Sequence, residues 1–93
     1  MNYNQKLTRR TSVKNELGMH ARPASKIAQI AGEAKSDVWL SIDSQKSDAA
    51  SIIDILSMCA VKGTQICVEI EDEADTLILD QIIDFFESGF GEI

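Results

Sequence analysis

The stretch Gly18-Met19-His20-Ala21-Arg22-Pro23-Ala24 holds the only histidine and the only proline of the 93 residues. It lies where an extended, polar segment gives way to an alanine-rich segment with helical spacing. Pro23 suits the first turn of a helix. An N–H group in that turn has no intrahelical acceptor, so a proline, which has no N–H, costs no helical hydrogen bond there. The stretch therefore predicts a loop that ends at the N-terminus of a first helix.

His20 and Arg22 stand at this predicted helix start. The first N–H groups of a helix are unpaired and carry partial positive charge, which favours an anion and phosphate above all. The imidazole offers a nucleophilic nitrogen near neutral pH, and the guanidinium offers a forked donor for phosphate oxygens. No acidic residue lies within three positions of His20 to repel a phosphate. The residues alone leave two interpretations of His20 open: a phosphoryl acceptor, and a helix cap or solvated histidine.

The rest of the chain offers no set of groups for independent catalysis. The sequence shows no second histidine, no cluster of metal ligands and no carboxylate placed to act as a general base. We therefore expect no metal and no cofactor, and a phosphoryl-transfer protein that is a substrate of other enzymes. Arg22 also has an alternative role, as a surface residue that pairs with a carboxylate such as Glu16.

Local sequence pattern predicts the order strand, helix, strand, strand, helix, strand, helix, in which the third strand is short and poorly patterned. The predicted strands cover residues 7–13, 38–42, a short stretch through Ser47 and Asp48, and 65–71, and the predicted helices cover residues 21–31, 51–60 and 73–88. Asp43-Ser44-Gln45-Lys46 is predicted to be a turn, and Lys62-Gly63 is predicted to end the second helix. Helices on one face of a small sheet give an α+β arrangement.

The last helix carries the strongest helical pattern. Asp72 is its predicted N-cap, and Asp75 adds negative charge to its first turn. Residues 90–93 are predicted to be a tail. The predicted buried stripe consists of Ala74, Leu77, Ile78, Ile82, Phe85 and Phe86.

Length and composition limit the class of protein. Ninety-three residues, 44% of them hydrophobic, predict one domain over residues 1–93, with residues 1–6 as a loosely ordered extension. No apolar run approaches the roughly 18 residues of a membrane span, and the start lacks the apolar core of a secretory signal. We therefore expect a cytoplasmic protein without membrane insertion. Cys59 and Cys67 lie in apolar patterns and are predicted to be reduced core thiols.

Charge is divided unevenly along the chain. The net charge of −6 argues against nucleic-acid binding. Residues 1–46 hold eight Lys/Arg and four acids, whereas residues 47–93 hold one lysine and eleven acids. The basic half carries His20, which suits a site that meets phosphate and acidic partners, although ordinary solvated surface charge explains the pattern as well.

The motif Gly18–Ala24 resembles the phosphorylation-site signature of HPr, the histidine-containing phosphocarrier of the bacterial sugar phosphotransferase system. Ser51-Ile52-Ile53-Asp54 resembles the second signature of that family, around its regulatory serine. The resemblance covers residues 7–88. It implies an HPr-like open-faced sandwich (βαββαβα), in which a four-stranded antiparallel sheet carries three helices on one face.

The resemblance also implies a function. His20 would accept a phosphoryl group on Nδ1 from enzyme I, which uses phosphoenolpyruvate, and pass it to an enzyme IIA-type acceptor in sugar transport. Arg22 would stabilise the phosphoryl group. The expected protein is a monomer.

Helix two carries the other features implied by the resemblance. Ser51 matches a site of regulatory phosphorylation by HPr kinase/phosphorylase, although as a helix N-cap it needs no further role. Ile52, Ile53 and Leu56 match the partner-docking patch of the family. From the helical spacing we expect Ile55 and Cys59 to face inward, and Ile53 and Leu56 to face outward.

Two other functions remain possible for such a sequence. One is a regulatory, nitrogen-type paralogue that phosphorylates partners without sugar transport. The other is an interaction module in which phosphorylation has been lost, and the retention of His20 ranks it last.

Overall fold

Four antiparallel strands and three α-helices make up the computed structural model, which describes residues 7–93. The strands are β1 (Thr8–Ser12), β2 (Val38–Ile42), β3 (Gln45–Asp48) and β4 (Gln65–Ile70), in the sheet order β1-β4-β2-β3. The helices are α1 (Ala21–Ala31), α2 (Ile52–Ser57) and α3 (Thr76–Glu87), and short 3₁₀ turns cover Glu73–Asp75 and Gly89–Gly91. The predicted α+β class and βαββαβα order are confirmed. The predicted loose extension, residues 1–6, lies outside the described residues.

The core lies between one face of the sheet and the helices. Strand β4 pairs with β1 on one side and β2 on the other, with Leu40 opposite Val68. Because side chains alternate along a strand, β4 turns every second residue towards the helices. The buried side chains from the sheet include Ile66, Val68, Ile70, Val38 and Leu40, and those from the helices include Ala24, Ile27, Ala31, Ile55, Leu79, Ile82 and Phe86. No helix of residues 7–93 is long and apolar enough to cross a membrane.

Helix α2 is shorter than its hydrophobic spacing predicted. It ends at Ser57, and Cys59 then takes a φ of 53° that turns the chain out of the helix. Cys59 is therefore exposed and Ala60 is buried in its place, so the prediction that Cys59 faces inward as a core thiol was wrong. Lys62-Gly63 lies in the next turn and does not end the helix.

The β2–β3 hairpin is tighter than predicted. Only Asp43 and Ser44 form the turn, and Asp43 takes a φ of 55°. Gln45 and Lys46 belong to β3, where they pair with Ile42 and Ser41. The hairpin therefore uses a two-residue connection, which antiparallel strands favour.

Helix α3 starts later than predicted, and its buried stripe differs from the predicted one. The Asp72 side chain accepts from the N–H of Ala74 and caps the 3₁₀ turn, and α3 follows from Thr76. Leu77 is 68% exposed, and Ala74 is exposed as well, so both were wrongly placed in the stripe. The buried stripe is Asp75, Leu79, Ile82 and Phe86, with Ile78 and Phe85 partly buried against it.

Asp75 is a buried carboxylate that joins two segments of the chain. Its two oxygens accept from the backbone N–H groups of Lys35, at 2.8 Å, and Ser36, at 3.0 Å. Asp75 therefore holds the loop between α1 and β2 against the start of α3. Sequence analysis predicted only a helix-dipole charge at this position.

We predict that Asp75→Asn lowers the free energy of unfolding by about 1.5–3 kcal/mol, because an amide can accept only one of the two bonds without leaving a buried donor unpaired. Urea unfolding measures the change. Asp80→Asn is the matched control, since Asp80 forms a half-exposed ion pair with Arg9, and a pair of that kind contributes about 0–1 kcal/mol. Equal losses in the two variants would contradict the role of Asp75.

Candidate functional site

The loop before α1 is closely packed against the segment that follows α2. Gly18 has a φ of 71°, and a Cβ on it would lie 2.8 Å from the carbonyl oxygen of Ala60. The N–H of Met19 donates to that oxygen at 2.9 Å, and the Met19 side chain is buried. Any residue other than glycine would collide with backbone at position 18. The loop therefore presents the next residue, His20, from a fixed support.

His20 is the N-cap residue of α1. Its backbone is extended (φ −119°, ψ −172°), and its carbonyl accepts the first helical bond, from the N–H of Ala24 at 3.0 Å. Within residues 7–93 its side chain makes no capping hydrogen bond. The N–H groups of Ala21 and Arg22 lie in the first turn, where the helix has no acceptor for them. The ring therefore stands beside a helix N-terminus, as predicted, and does not act as a side-chain cap.

A carboxylate from the far end of the chain contacts the ring. Oε2 of Glu92 lies 2.7 Å from Nε2 of His20 and 3.6 Å from a terminal nitrogen of Arg22. No acidic residue lies within three positions of His20 along the sequence, but folding brings the carboxylate of Glu92 to its ring. Arg22 does pair with a carboxylate, as its alternative role allowed, but the partner is Glu92 and not the suggested Glu16, which pairs with Lys62.

The contact with Glu92 determines which nitrogen of His20 is free. An ionised carboxylate can only accept hydrogen bonds. Nε2 must therefore carry the hydrogen and donate it to Glu92. In the neutral ring this leaves the lone pair on Nδ1, and the side chain of His20 is 31% exposed. Nδ1 is thus the ring nitrogen that offers a lone pair when His20 is neutral.

Asn15 holds the other oxygen of Glu92. The buried Asn15 side chain donates from Nδ2 to Oε1 of Glu92 at 2.7 Å and to the carbonyl of Gly18 at 2.9 Å. The hydrogen bond from Asn15 is the largest cause that lowers the pKa of Glu92, and bonding and charge from His20 and the charge of Arg22 lower it further against the opposing effect of burial. Glu92 is therefore ionised at neutral pH.

The C-terminal segment reaches the site through a sharp turn. Gly89, Phe90 and Gly91 take φ values of 65°, 59° and 73°. The Phe90 ring is buried, with its centroid 5.1 Å from that of Phe85 and 5.0 Å from that of Phe86. Sequence analysis missed Glu92 because it treated residues 90–93 as a tail. The available signal was the large aromatic residue between two glycines.

Arg22 reaches into solvent beside this site. Its side chain is 80% exposed. Ion pairing at 3.6 Å with Glu92 leaves most of its donors free. The guanidinium is therefore available to an incoming anion.

The predicted docking residues lie on α2, which packs against α1. Ile53 is 74% exposed and Ile52 is exposed to a lesser degree, whereas Leu56 is partly buried against the core. Leu56 therefore faces outward less than predicted. Leu17 and Val61, which flank the site loop, are also exposed apolar side chains and were not predicted.

Ser51 is the N-cap residue of α2. Its hydroxyl accepts from the N–H of Asp54 at 3.2 Å. Ser51 therefore caps the N-terminus of α2, the structural role that sequence analysis described for it. Among residues 7–93 no group of three or more His, Cys, Asp or Glu side chains could hold a metal ion.

Comparison with known proteins identifies the family of this chain. Residues 7–88 match the family model described as the PTS HPr component phosphorylation site. The chain belongs to the HPr family of phosphocarrier proteins. It is 38% identical over 85 residues to phosphocarrier protein NPr of Proteus mirabilis, a match that covers 90% of this chain and 94% of that protein. It is 31% identical over 86 residues to phosphocarrier protein HPr of Cupriavidus necator, with 92% and 97% covered.

Solved HPr structures share the fold. The crystal structure of HPr-C-His from Thermoanaerobacter tengcongensis superposes with a TM-score of 0.85 at 31% identity, covering 92% of this chain and 97% of that one. A crystal structure of an HPr dimer from the same organism gives a TM-score of 0.72 at 33% identity, with 88% and 94% covered. The sandwich that the sequence resemblance implied is therefore the fold of the HPr family.

We predict that Asn15→Ala raises the pKa of Glu92 towards its ordinary value, because the largest cause of its lowering is removed. Side-chain carboxyl shifts followed by NMR between pH 7 and pH 2 measure the change. Since the folded pKa is the lower one, Glu92 stabilises the fold above pH about 4.5 and loses that contribution as the pH falls through the folded pKa. The variant should show less of this acid-dependent loss.

Gln29→Ala is the control for this titration, because Gln29 is an exposed amide on α1. It should leave the Glu92 titration unchanged. An unaltered Glu92 titration in folded Asn15→Ala would contradict the assignment.

Proposed function

We propose that Nδ1 of His20 is the phosphoryl acceptor of this phosphocarrier. The observation that carries the proposal is the bond between Nε2 and Glu92, which leaves the lone pair of the neutral ring on Nδ1. The resemblance to the HPr family names the same nitrogen. The position of the ring at a helix start adds N–H groups and partial positive charge for the phosphoryl oxygens.

In the proposed step, the Nδ1 lone pair of His20 forms a bond to the phosphorus of a donor phosphohistidine. The bond between that phosphorus and the donor nitrogen breaks, and its electron pair returns to the donor. Arg22 turns its free donors to the phosphoryl oxygens and offsets their charge. The same step in reverse, with a new partner, delivers the group.

The donor and acceptor follow from the family resemblance. Enzyme I would load the protein with a group derived from phosphoenolpyruvate, and an enzyme IIA-type protein would receive it in sugar transport. We therefore propose that the protein acts in the cytoplasm, together with these partners. We propose that it acts as a monomer, with His20 open to one partner at a time.

A regulatory, nitrogen-type role is the second candidate, and the similarity to NPr of Proteus mirabilis supports it. The rates of phosphoryl transfer from the phosphorylated protein to a sugar-type and to a nitrogen-type enzyme IIA distinguish the two candidate functions. Faster transfer to the sugar-type acceptor supports the leading proposal. Transfer to the nitrogen-type acceptor alone would overturn the role in sugar transport.

We predict that His20→Ala takes no acid-labile phosphate from enzyme I and phosphoenolpyruvate while the fold is retained. Arg22→Ala should be labelled about 10-fold more slowly. This loss is smaller than the roughly 100–1,000-fold effect of a buried oxyanion donor, because Arg22 is largely exposed to solvent. Intact-protein mass and acid lability are the readouts, and circular dichroism reports the fold.

Lys35→Ala is the matched cation control for this labelling, since Lys35 is an exposed lysine in the loop after α1. It should be labelled at the wild-type rate. Acid-labile phosphate on His20→Ala would refute the assignment of the acceptor.

We further propose that Ile52, Ile53 and Leu56 form the surface on which enzyme I docks. Ile53 supports this most directly, because it is a largely exposed isoleucine on a helix that packs against α1. Ser51 lies at the start of the same helix. A phosphate there, added by an HPr kinase/phosphorylase, would place nearly two negative charges beside a surface that must lose its water on docking.

We predict that Ile53→Glu raises the Michaelis constant for enzyme I by roughly 10-fold, which corresponds to about 1.4 kcal/mol of docking energy. Ser51→Asp should raise it in the same direction by a smaller factor, since it adds one charge. Steady-state transfer rates and thermal unfolding measure the two effects. Leu77→Glu is the matched control, as Leu77 is a similarly exposed apolar residue on α3, and equal effects at both positions would argue against a local docking surface.

A further inference from the structure

We propose that a groove between α1 and the end of α3 binds a small aromatic monocarboxylate, which competes with the phosphoryl group for Arg22. This groove, the α1–α3 groove, has a volume of about 550 Å³ and is also lined by the loop before α1 and by the C-terminal segment. Pockets of this size hold small organic ligands. The binding rests on the residues of the groove alone, and only the competition rests on the proposed function.

The walls of the α1–α3 groove are apolar and partly aromatic. Pro23 and Phe90 are buried and Phe85 is partly buried, so these three residues form its floor. Leu17 and Ile93 are largely exposed and form its rim. The rings of Phe85 and Phe90 are tilted by 47° with their centroids 5.1 Å apart. Aromatic rings attract further rings in offset or edge-to-face contact, so this floor favours an aromatic ligand over an aliphatic one.

The rim at Ile93 is held in place by the C-terminal turn. Gly89 has a φ of 65°, and a Cβ on it would collide with the side chain of Ile93. Ile93 therefore lies directly over the backbone of Gly89 and does not swing freely at the end of the chain. Phe90, the next residue after that glycine, is packed against Phe85 and Phe86. The groove is thus formed before any ligand enters, as ligand pockets usually are.

Two cations of α1 lie along the groove and give it an affinity for a carboxylate. Arg22 and Lys26 are four residues apart, so they share one face of the helix. Both side chains are exposed, and Lys26 has no ion-pair partner among residues 7–93. Arg22 pairs with Glu92 at 3.6 Å and keeps most of its donors free. A carboxylate between the two cations would accept charge-assisted hydrogen bonds from both.

The acidic residues of the groove limit the charge of the ligand. Glu16 accepts a hydrogen bond from Lys62, and this bond is the main cause that lowers the pKa of Glu16. Glu92 accepts from Asn15 and His20. Both acids are therefore ionised with partners of their own, and they would repel a second negative charge on a ligand. A singly charged carboxylate is favoured over a phosphate ester, which carries nearly two charges.

Arg22 connects the groove to the phosphoryl site. In the proposed transfer its guanidinium turns to the phosphoryl oxygens, whereas a carboxylate in the groove would hold the same donors. The two therefore weaken each other, and such coupling between two binding equilibria is reciprocal. The phosphorylated protein should bind the carboxylate about 5-fold more weakly than the unphosphorylated protein, a coupling at the low end of the usual range. Saturating carboxylate should slow the labelling of His20 by enzyme I.

Titration with phenylacetate, followed by ¹⁵N NMR, tests the binding. The amides of Leu17, Lys26 and Gly91 should shift and saturate with a Kd of about 1 mM, which is weak because the groove is open to solvent. Phenylacetamide lacks the charge and acetate lacks the ring. Each of these two probes should bind at least about 10-fold more weakly than phenylacetate if both features of the groove contribute.

Lys26→Gln removes one cation of the groove without touching the residues of phosphoryl transfer. It should weaken phenylacetate binding by about 10-fold and leave the labelling rate without ligand unchanged. Lys35→Gln is the matched control, because Lys35 is an exposed lysine in the loop after α1. It should keep the wild-type affinity for phenylacetate and the wild-type labelling rate.

The outcomes separate this inference from the proposed function. Equal binding of the three probes, shifts confined to residues outside the groove, or wild-type affinity in Lys26→Gln would overturn the carboxylate site. So would the absence of saturable shifts at about ten times the expected Kd. Equal affinity of the phosphorylated and unphosphorylated proteins for phenylacetate would overturn the competition for Arg22. If phenylacetate binds as expected but enzyme I does not label His20, the carboxylate site stands and the proposed function fails.

Discussion

Burial of one face of strand β4 is the constraint on which the rest of the structure depends. Ile66, Val68 and Ile70 are all buried, and β4 is hydrogen-bonded to a neighbour along both edges. Full burial of each such side chain stabilises a fold by about 1.5–3 kcal/mol. A one-residue slip of register would turn all three side chains to the solvent face. The register of β4 therefore decides which faces of β1 and β2 the helices cover.

The site is built at the margin of this core from segments that are far apart in sequence. The loop of Gly18 and Met19 is held by the backbone at Ala60. The C-terminal turn is held by the ring of Phe90, which packs against Phe86 of α3. Both supports are held by close packing against the rest of the fold, whereas Arg22 projects into solvent. A phosphocarrier needs this division, because the acceptor nitrogen must be presented in one geometry while the charged partner of the phosphoryl group must be able to move.

Local pattern predicted the parts of the fold in which one face of a regular element is buried. The bounds of α1 and most of the βαββαβα order followed from periodicity, and the motif around His20 located the start of α1. Strand β3 was predicted only as a short stretch through Ser47 and Asp48, because its polar residues carry no hydrophobic alternation. Periodicity failed where the chain leaves regular angles. After α2 the chain turns away at Cys59 with a positive φ, and the side chain of Asp75 is buried where it accepts from two amides of a distant loop. Neither feature can be recognised from the spacing of apolar residues.

Glu92 is the most informative of these failures, because the local sequence gave the opposite expectation. No acid lies near His20 along the chain, yet folding brings one to 2.7 Å of its ring. In the proposed mechanism this carboxylate has two opposing effects on the phosphorylated protein: it attracts the positively charged ring, and it repels the phosphoryl oxygens on the other nitrogen. The guanidinium of Arg22, which lies 3.6 Å from Glu92, can move between the carboxylate and the phosphoryl group. Opposed effects of this kind keep the bound phosphoryl group from becoming too stable, which a protein that must both accept and release it requires.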